Sequence, residues 1–227
     1  MTSLILSFLL SIPAGLHAAG SAGSRYDRFL KSFTVVIMSL PAFWIAILLI
    51  MTLANPDVLG WLPAAGGAPS RVEHPTFFQR IPYLILPTLT YIISSVAFLS
   101  RGIRDAALAE LKSGQVRTAR SKGLHEKRIL YVHVLRTQAA SLLTVFGQAV
   151  PVAISGSVII ETVFSLPSGM GSLITSSVYS LDYPVLTAIF LLTALVTLSV
   201  QLIIDLLIAR IDPRTANAIL ESNGHKN

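Results

Sequence analysis

The sequence predicts an all-α, polytopic membrane bundle of about five transmembrane helices, and three observations carry that expectation. Of the 227 residues, 53% are hydrophobic and only 12% charged, with a mean hydropathy of +0.70, whereas a soluble domain carries about 25% charged residues. The apolar residues gather into five runs, each near the ~20 residues a helix needs to cross the hydrocarbon. The basic residues fall almost entirely in alternate connections between those runs. Cysteine is absent, which excludes disulfides, thiolate catalysis and cysteine-ligated metals.

The five runs are 2–19, 33–54, 81–100, 137–160 and 185–208. Helices are expected rather than strands, because a lipid-exposed backbone must satisfy its own hydrogen bonds and no alternating pattern suggests a barrel. Pro41, Pro87 and Pro151 lie inside runs, where a bundle tolerates the kink. Fifteen of the 17 Lys and Arg occupy 20–31, 101–136 and the tail after 208, while 162–184 has none. The positive-inside rule makes the basic side cytoplasmic, so the N-terminus is expected outside and the C-terminus inside. The first run, with its small residues near 18–23, also has the look of a secretory signal. It lacks a basic leader region, however, and its cleavage would export every basic loop, so a retained span is the better reading. An outside N-terminus leads one to expect a further span upstream in a complete protein.

Polar residues recur inside two spans. Thr193, Thr197, Gln201 and Asp205 repeat every four residues along the last one, and Ser141, Thr144, Gln148, Pro151 and Ser155 every three or four along the span before it. Such stripes either face a translocation pathway or a partner subunit, or act as interhelical glue. Asp205 is expected to pair with Arg210, one turn or so away.

The segment VRTARSKGLHEKRILYVHVLR, residues 116–136, carries six Lys or Arg in an otherwise apolar chain. Basic juxtamembrane residues commonly only set topology or touch anionic lipid. Nucleic acid is disfavoured, because no aromatic side chain interleaves the charges before Tyr131. VRTARSK has good helix formers, and Gly123 suits the left-handed cap that ends a helix. Were the segment a dock for another protein, Val116, Ala119 and Leu124 would face that partner, with Arg117, Arg120 and Lys122 supplying charge. The five histidines show no metal-ligand spacing and no phosphate-cradling G-x-x-x-x-G-K-[ST] is present, so no metal or cofactor is expected on this chain.

Here the sequence resembles a known family. GQVRTARSKGLHEKRILYVHVLRTQAAS is similar to the cytoplasmic loop of permease subunits of binding-protein-dependent ABC importers, in the dipeptide, oligopeptide and nickel branch. SLPAFWIAILLIMTLANPDVLGWLPAAGG (39–67), ILPTLTY (85–91), ETVFSLPSGMGSLI (161–174), LDYPV (181–185) and IDPRT (211–215) resemble further family elements in the family's order. Gly114-Gln115, Ser141, Ser168 and Leu181 depart from the family pattern.

The resemblance implies a type-1 ABC transmembrane domain over 1–215, short of the family's first span, followed by a polar cytoplasmic tail at 216–227. It implies that Arg117, Thr118, Ala119, Arg120, Lys122, Gly123 and Leu124 form a coupling helix gripped by an ATPase. Glu161, Pro167, Gly169 and Gly171 would belong to the loop on the binding-protein side. Expected partners are a second permease in a heterodimer, two cytoplasmic ABC ATPases that consume the ATP, an external solute-binding protein and membrane lipid. The expected role is transport of peptides or a related small solute such as nickel across the bacterial inner membrane, not enzymic catalysis by this chain. Two alternatives are a truncated or regulatory permease remnant and a membrane-embedded enzyme using Asp205 or Glu161 with a histidine.

Overall fold

The structure, a computed structural model, describes residues 2–64, 67, 76–166 and 169–211. Every regular element among them is helical. Helix α1 (Thr2–Gly20) is a core element: it packs along α4 (Phe77–Glu110) through small residues spaced by four, Ser7, Ser11 and Gly15. Both serines are buried and donate back to the carbonyls of Ser3 and Ser7, at 2.7 and 2.6 Å. A Cβ on Gly15 would lie 2.8 Å from the Ser100 carbonyl oxygen, so the two backbones touch where that residue has no side chain. The signal-like run is therefore a packed bundle helix.

The expected single span 33–54 needs correction. Helix α2 (Arg25–Ser39) stops at Leu40, and α3 (Ala42–Ala54) sets off at 101° to it. Pro41 breaks the helix rather than kinking it, because it stands as the N-cap in an extended conformation and residues before proline avoid the α region. Ser24 caps α2 by accepting from the Asp27 N–H at 3.2 Å. The last turn of α3, Ile50–Ala54, is π-helical.

Helix α4 also outruns its expected end at residue 100. Its 34 residues measure roughly 51 Å at 1.5 Å per residue, well beyond the ~30 Å hydrocarbon core. The run Ala106–Glu110 is made of good helix formers, so the helix carries its charged residues on past the apolar stretch. Pro82 and Pro87 sit within it. Short α5 (Gly114–Ser121) follows. Next comes α6, assembled from an α-turn Glu126–Arg128, a π-helical stretch Ile129–Val134 and a last α-turn Leu135–Thr137. Helices α7 (Ala139–Val163), α8 (Met170–Tyr179) and α9 (Tyr183–Ile211) complete the described chain. By length and composition, α1, α4, α7 and α9 can each cross a membrane, and the bent α2–α3 pair is the fifth candidate.

Three apolar clusters stack along the bundle. Ala46, Leu86, Ile160 and Phe164 close one end, with Leu4, Leu99, Ala149, Val150 and Ala153 in the middle. The third, at the basic end, joins Leu16, Ile103, Val116, Ala119, Ile129 and Val134, and so takes α5 into the core. Helix α9 buries little beyond Ile189 and Ile204.

Candidate functional site

Helix α5 is amphipathic, and its faces are the reverse of the expected ones. Val116 is 1% exposed and Ala119 7%, and half-buried Leu124 packs on the same cluster. Val116 and Ala119 anchor α5 to its own bundle and so do not face a partner, while Leu124 packs beside them and stays partly exposed. The reason is local: the apolar side chains of so short a helix are stabilised by burial, and the nearest apolar surface is the floor formed by α1, α4 and α6. What α5 presents outward is polar: Arg117, Thr118, Arg120, Ser121 and Lys122 are all exposed.

Both ends of α5 are fastened. Ser113 caps the N-terminus, accepting from the Val116 N–H at 3.3 Å and donating to Glu110 at 2.8 Å. The other Glu110 oxygen accepts from Gln138 Nε2 at 2.9 Å, so this carboxylate ties the end of α4 to the start of α7 across the base of α5. At the C-terminus, the Gly123 N–H donates to the Arg120 carbonyl at 2.9 Å and the Leu124 N–H to the Ala119 carbonyl at 3.3 Å. With Gly123 at φ +73°, this is a Schellman motif, and Leu124 over Ala119 supplies its apolar contact. The glycine meets the sequence expectation. A Cβ there would touch nothing within 4 Å, so backbone conformation alone selects it.

Arg120 is spent within the loop. Its Nε and Nη2 donate to the two oxygens of Glu126 at 2.7 and 3.1 Å, clasping α5 to α6. The hydrogen bond to Arg120 lowers the Glu126 carboxyl below its ordinary value, and the same bond raises Arg120. Arg117 and Lys122 have no carboxylate among the described residues and are the free charges on the outer face.

The two polar stripes meet only at their centre. Pro151 and Ser155 of α7 and Thr193 and Thr197 of α9 share a groove of about 380 Å³. Ser141, Thr144 and Gln148 continue along the exposed face of α7, apart from α9. The hydroxyls of Thr144 and Thr193 donate to their own helix, to Ala140 and Phe190 at 3.1 and 2.9 Å. Among the described residues, no hydrogen bond crosses between the stripes. Gln201 instead lies over Gly147 of α7, whose Cβ would be 3.1 Å from Gln201 Oε1. Asp205 accepts from Gln201 Nε2 at 3.3 Å and forms no ion pair with Arg210, in contrast to the pairing expected.

At the opposite end, Glu161, Gly169 and Gly171 come together, while Pro167 lies outside the described residues. Glu161, in the last turn of α7, accepts from the Gly171 N–H in the first turn of α8. A carboxylate there answers the free N–H groups and positive pole of the helix start. Gly171 is required by space, since a Cβ there would lie 2.6 Å from the Val158 carbonyl oxygen, whereas a Cβ on Gly169 would displace only the Glu161 carboxylate. Glu161 also lines a largely apolar cavity of about 430 Å³ with Tyr91, Ser157, Met170 and Thr193.

Sequence reading missed a buried ion pair. Asp27 of α2 is fully buried and accepts from Arg104 of α4 through Nε at 2.6 Å and Nη2 at 3.2 Å. The Gly23 N–H at 2.8 Å and Lys31 Nζ at 3.3 Å complete its shell. The 77-residue separation of Asp27 and Arg104 hides the pair from any local pattern. The one available signal was a lone acid among the cations of 20–31.

A helical bundle of this length and apolarity has the build of a polytopic membrane protein. The family model "Binding-protein-dependent transport system inner membrane component" matches residues 11–217. The oligopeptide transport system permease protein AppB of Bacillus subtilis is 36% identical over 214 residues, covering 94% of this chain. OppB of Haemophilus influenzae, also named for oligopeptide transport, is 34% identical and covers the same 94%. The chain spans 66% of the length of each of these relatives. A solved structure of the MetNI methionine ABC transporter, in an inward-facing conformation, superposes with a TM-score of 0.70. That match covers 93% of this chain and 90% of the solved one at 14% identity, which establishes a shared fold. The chain belongs to the binding-protein-dependent transport system inner membrane component family. That family is one of inner-membrane transport components, in keeping with the several helices here that are long and apolar enough to cross a membrane.

Proposed function

We propose that this chain is a permease subunit of an ATP-driven importer of peptides or a related small solute, with α5 as the lever on which a separate ATPase acts. The observation that carries the reading is the fastening of α5. Its inner face is sunk in the core, its N-terminal cap shares Glu110 with α4 and α7, and its C-terminus is clasped to α6. A push on the polar outer face therefore reaches two membrane-spanning helices through buried and hydrogen-bonded contacts. Such coupling suits rigid-body alternation between inward- and outward-open states. The resemblance to peptide permeases supports the solute class, and the family's description supports dependence on a binding protein.

In this reading two ATPases supply the ATP hydrolysis and a second permease completes the pathway. The exposed row Ser141, Thr144 and Gln148, with the shared groove at Ser155, Thr193 and Thr197, lies on the side that faces the pathway or that second permease. Glu161, Gly169 and Gly171 shape the surface toward the binding protein by holding α8 in place. No cofactor is needed on this chain.

The test uses the outer face of α5, because its inner face cannot be altered without unfolding it. Arg117→Glu with Lys122→Glu, expressed with the cognate ATPases, is expected to abolish their co-purification and solute uptake while the subunit still reaches the membrane. Unchanged association and uptake would reject α5 as the lever. Ser121→Cys, labelled by an impermeant thiol reagent in intact cells, would reject the orientation.

A further inference from the structure

The right-angle turn at Pro41 sets the axis of α2 apart from that of α3. Asp27, Leu30 and Thr34 turn one face of α2 onto α4. Its outer face mixes exposed Phe29, Val35 and Val36 with exposed Arg25, Arg28 and Lys31. Aromatic and aliphatic side chains beside cations are the composition of a helix lying in the bilayer interface.

Between α2 and α4 runs a groove of about 230 Å³, with Leu30, Thr34 and Val35 on one wall and Lys31, Arg101, Arg104 and the carboxylate of Asp105 at its polar side. The cations are not equivalent. Arg104 is committed to Asp27 and to Asp105, the latter at 3.0 Å. Lys31 reaches Asp27 yet stays 52% exposed. Arg101 has no carboxylate among the described residues. Arg101 is exposed and is the first charged residue after the apolar stretch 81–100 of α4, which puts it near headgroup level. A guanidinium at that level reaches the interface, where a lipid anion can meet it.

We propose that this groove seats the headgroup phosphate of an anionic phospholipid of the cytoplasmic leaflet. Arg101 and Lys31 hold the phosphate, and the acyl chains lie along Val35, Val36 and Phe29. The apolar wall selects a lipid over a free anion, and the unbalanced charge selects an anionic lipid over a zwitterionic one. Nothing here requires α5 to bind an ATPase, so this proposal and the transport reading fail separately.

Native mass spectrometry of the full chain, released from micelles holding equal dioleoylphosphatidylglycerol and dioleoylphosphatidylcholine, tests it. Phosphatidylglycerol is expected to be retained preferentially. Arg101→Gln should weaken that retention about fivefold, the usual effect of one cation near an anionic headgroup, and Arg101→Lys should restore most of it. Arg117→Gln, which removes another exposed cation, on α5, should leave lipid retention unchanged. Equal retention of the two lipids, equal losses in Arg101→Gln and Arg117→Gln, or displacement of the lipid by inorganic phosphate would each overturn the proposal. So would a photoreactive side chain at Val35 that captures protein rather than lipid in native membranes.

Discussion

Replacing Asp27 by alanine should be among the most damaging single changes to the basic end of this bundle. The carboxylate is fully buried and receives four donors: Arg104 Nε and Nη2, Lys31 Nζ and the Gly23 N–H. In Asp27→Ala, Arg104, only 8% exposed, keeps one partner, Asp105, whose side chain is itself 60% exposed. Two charge-assisted bonds to Arg104 at ~1.5–3 kcal/mol each give the same scale as the ~3–5 kcal/mol seen when one member of a buried pair is removed. For a chain of this size that corresponds to a fall of roughly 6–20 °C in Tm, at ~2–4 °C per kcal/mol. The assay is thermal unfolding of the purified chain in detergent, followed by intrinsic fluorescence. The double variant Asp27→Leu with Arg104→Met should recover most of the loss, because replacing a buried pair by apolar groups of similar volume is close to neutral. A loss below about 1 kcal/mol in Asp27→Ala, or a double variant worse than the single one, would show that the pair does not hold α2 to α4.

Gly15→Leu should separate α1 from α4, since its Cβ would lie 2.8 Å from the Ser100 carbonyl oxygen and 2.9 Å from Ile103 Cβ. Backbone cannot yield as a flexible side chain can, so a loss of ~1–3 kcal/mol or more and poor membrane accumulation are expected, read by immunoblot of the membrane fraction. The Arg120–Glu126 clasp should matter little to global stability, because both side chains are about half exposed and such pairs contribute ~0.2–1 kcal/mol. Its pH dependence has a definite sign: Glu126 is lowered, so the contribution is fully present above the ordinary carboxylate range and is lost as pH falls through the depressed value. Hydrogen exchange of the amides of α5 and α6 should accordingly be unchanged by protonation of this pair between pH 6 and 8. Glu126→Gln should speed local exchange without shifting Tm measurably.

The fold class was legible because burial in lipid leaves a one-dimensional mark. Apolar runs, their lengths and the segregation of basic residues all follow from the solvent around each segment, and the bundle that forms carries them. Gly123 was legible for a related reason: ending a helix in a left-handed turn is a local requirement, met by a local residue. Glu161, Gly169 and Gly171 were placed together by resemblance, and their geometry supplies a cause, a carboxylate on a helix start with the Val158 backbone packed against Gly171.

Three features were decided only by tertiary structure. Periodicity showed that Val116, Ala119 and Leu124 share a face, but not whether that face meets a partner or the chain's own core. The answer depends on apolar surface supplied by Leu16, Ile103 and Ile129, far away in sequence. Pro41 could have kinked a span or broken it, and the direction of α2 follows from Asp27 finding Arg104 across 77 residues. The polar stripes were visible as spacing, yet which of their members meet depends on where α7 and α9 cross. Sequence alone determined which surfaces avoid water and which need charge, because those are properties of single segments. Pairing between segments belongs to the folded chain, where distance in space no longer follows distance along the backbone.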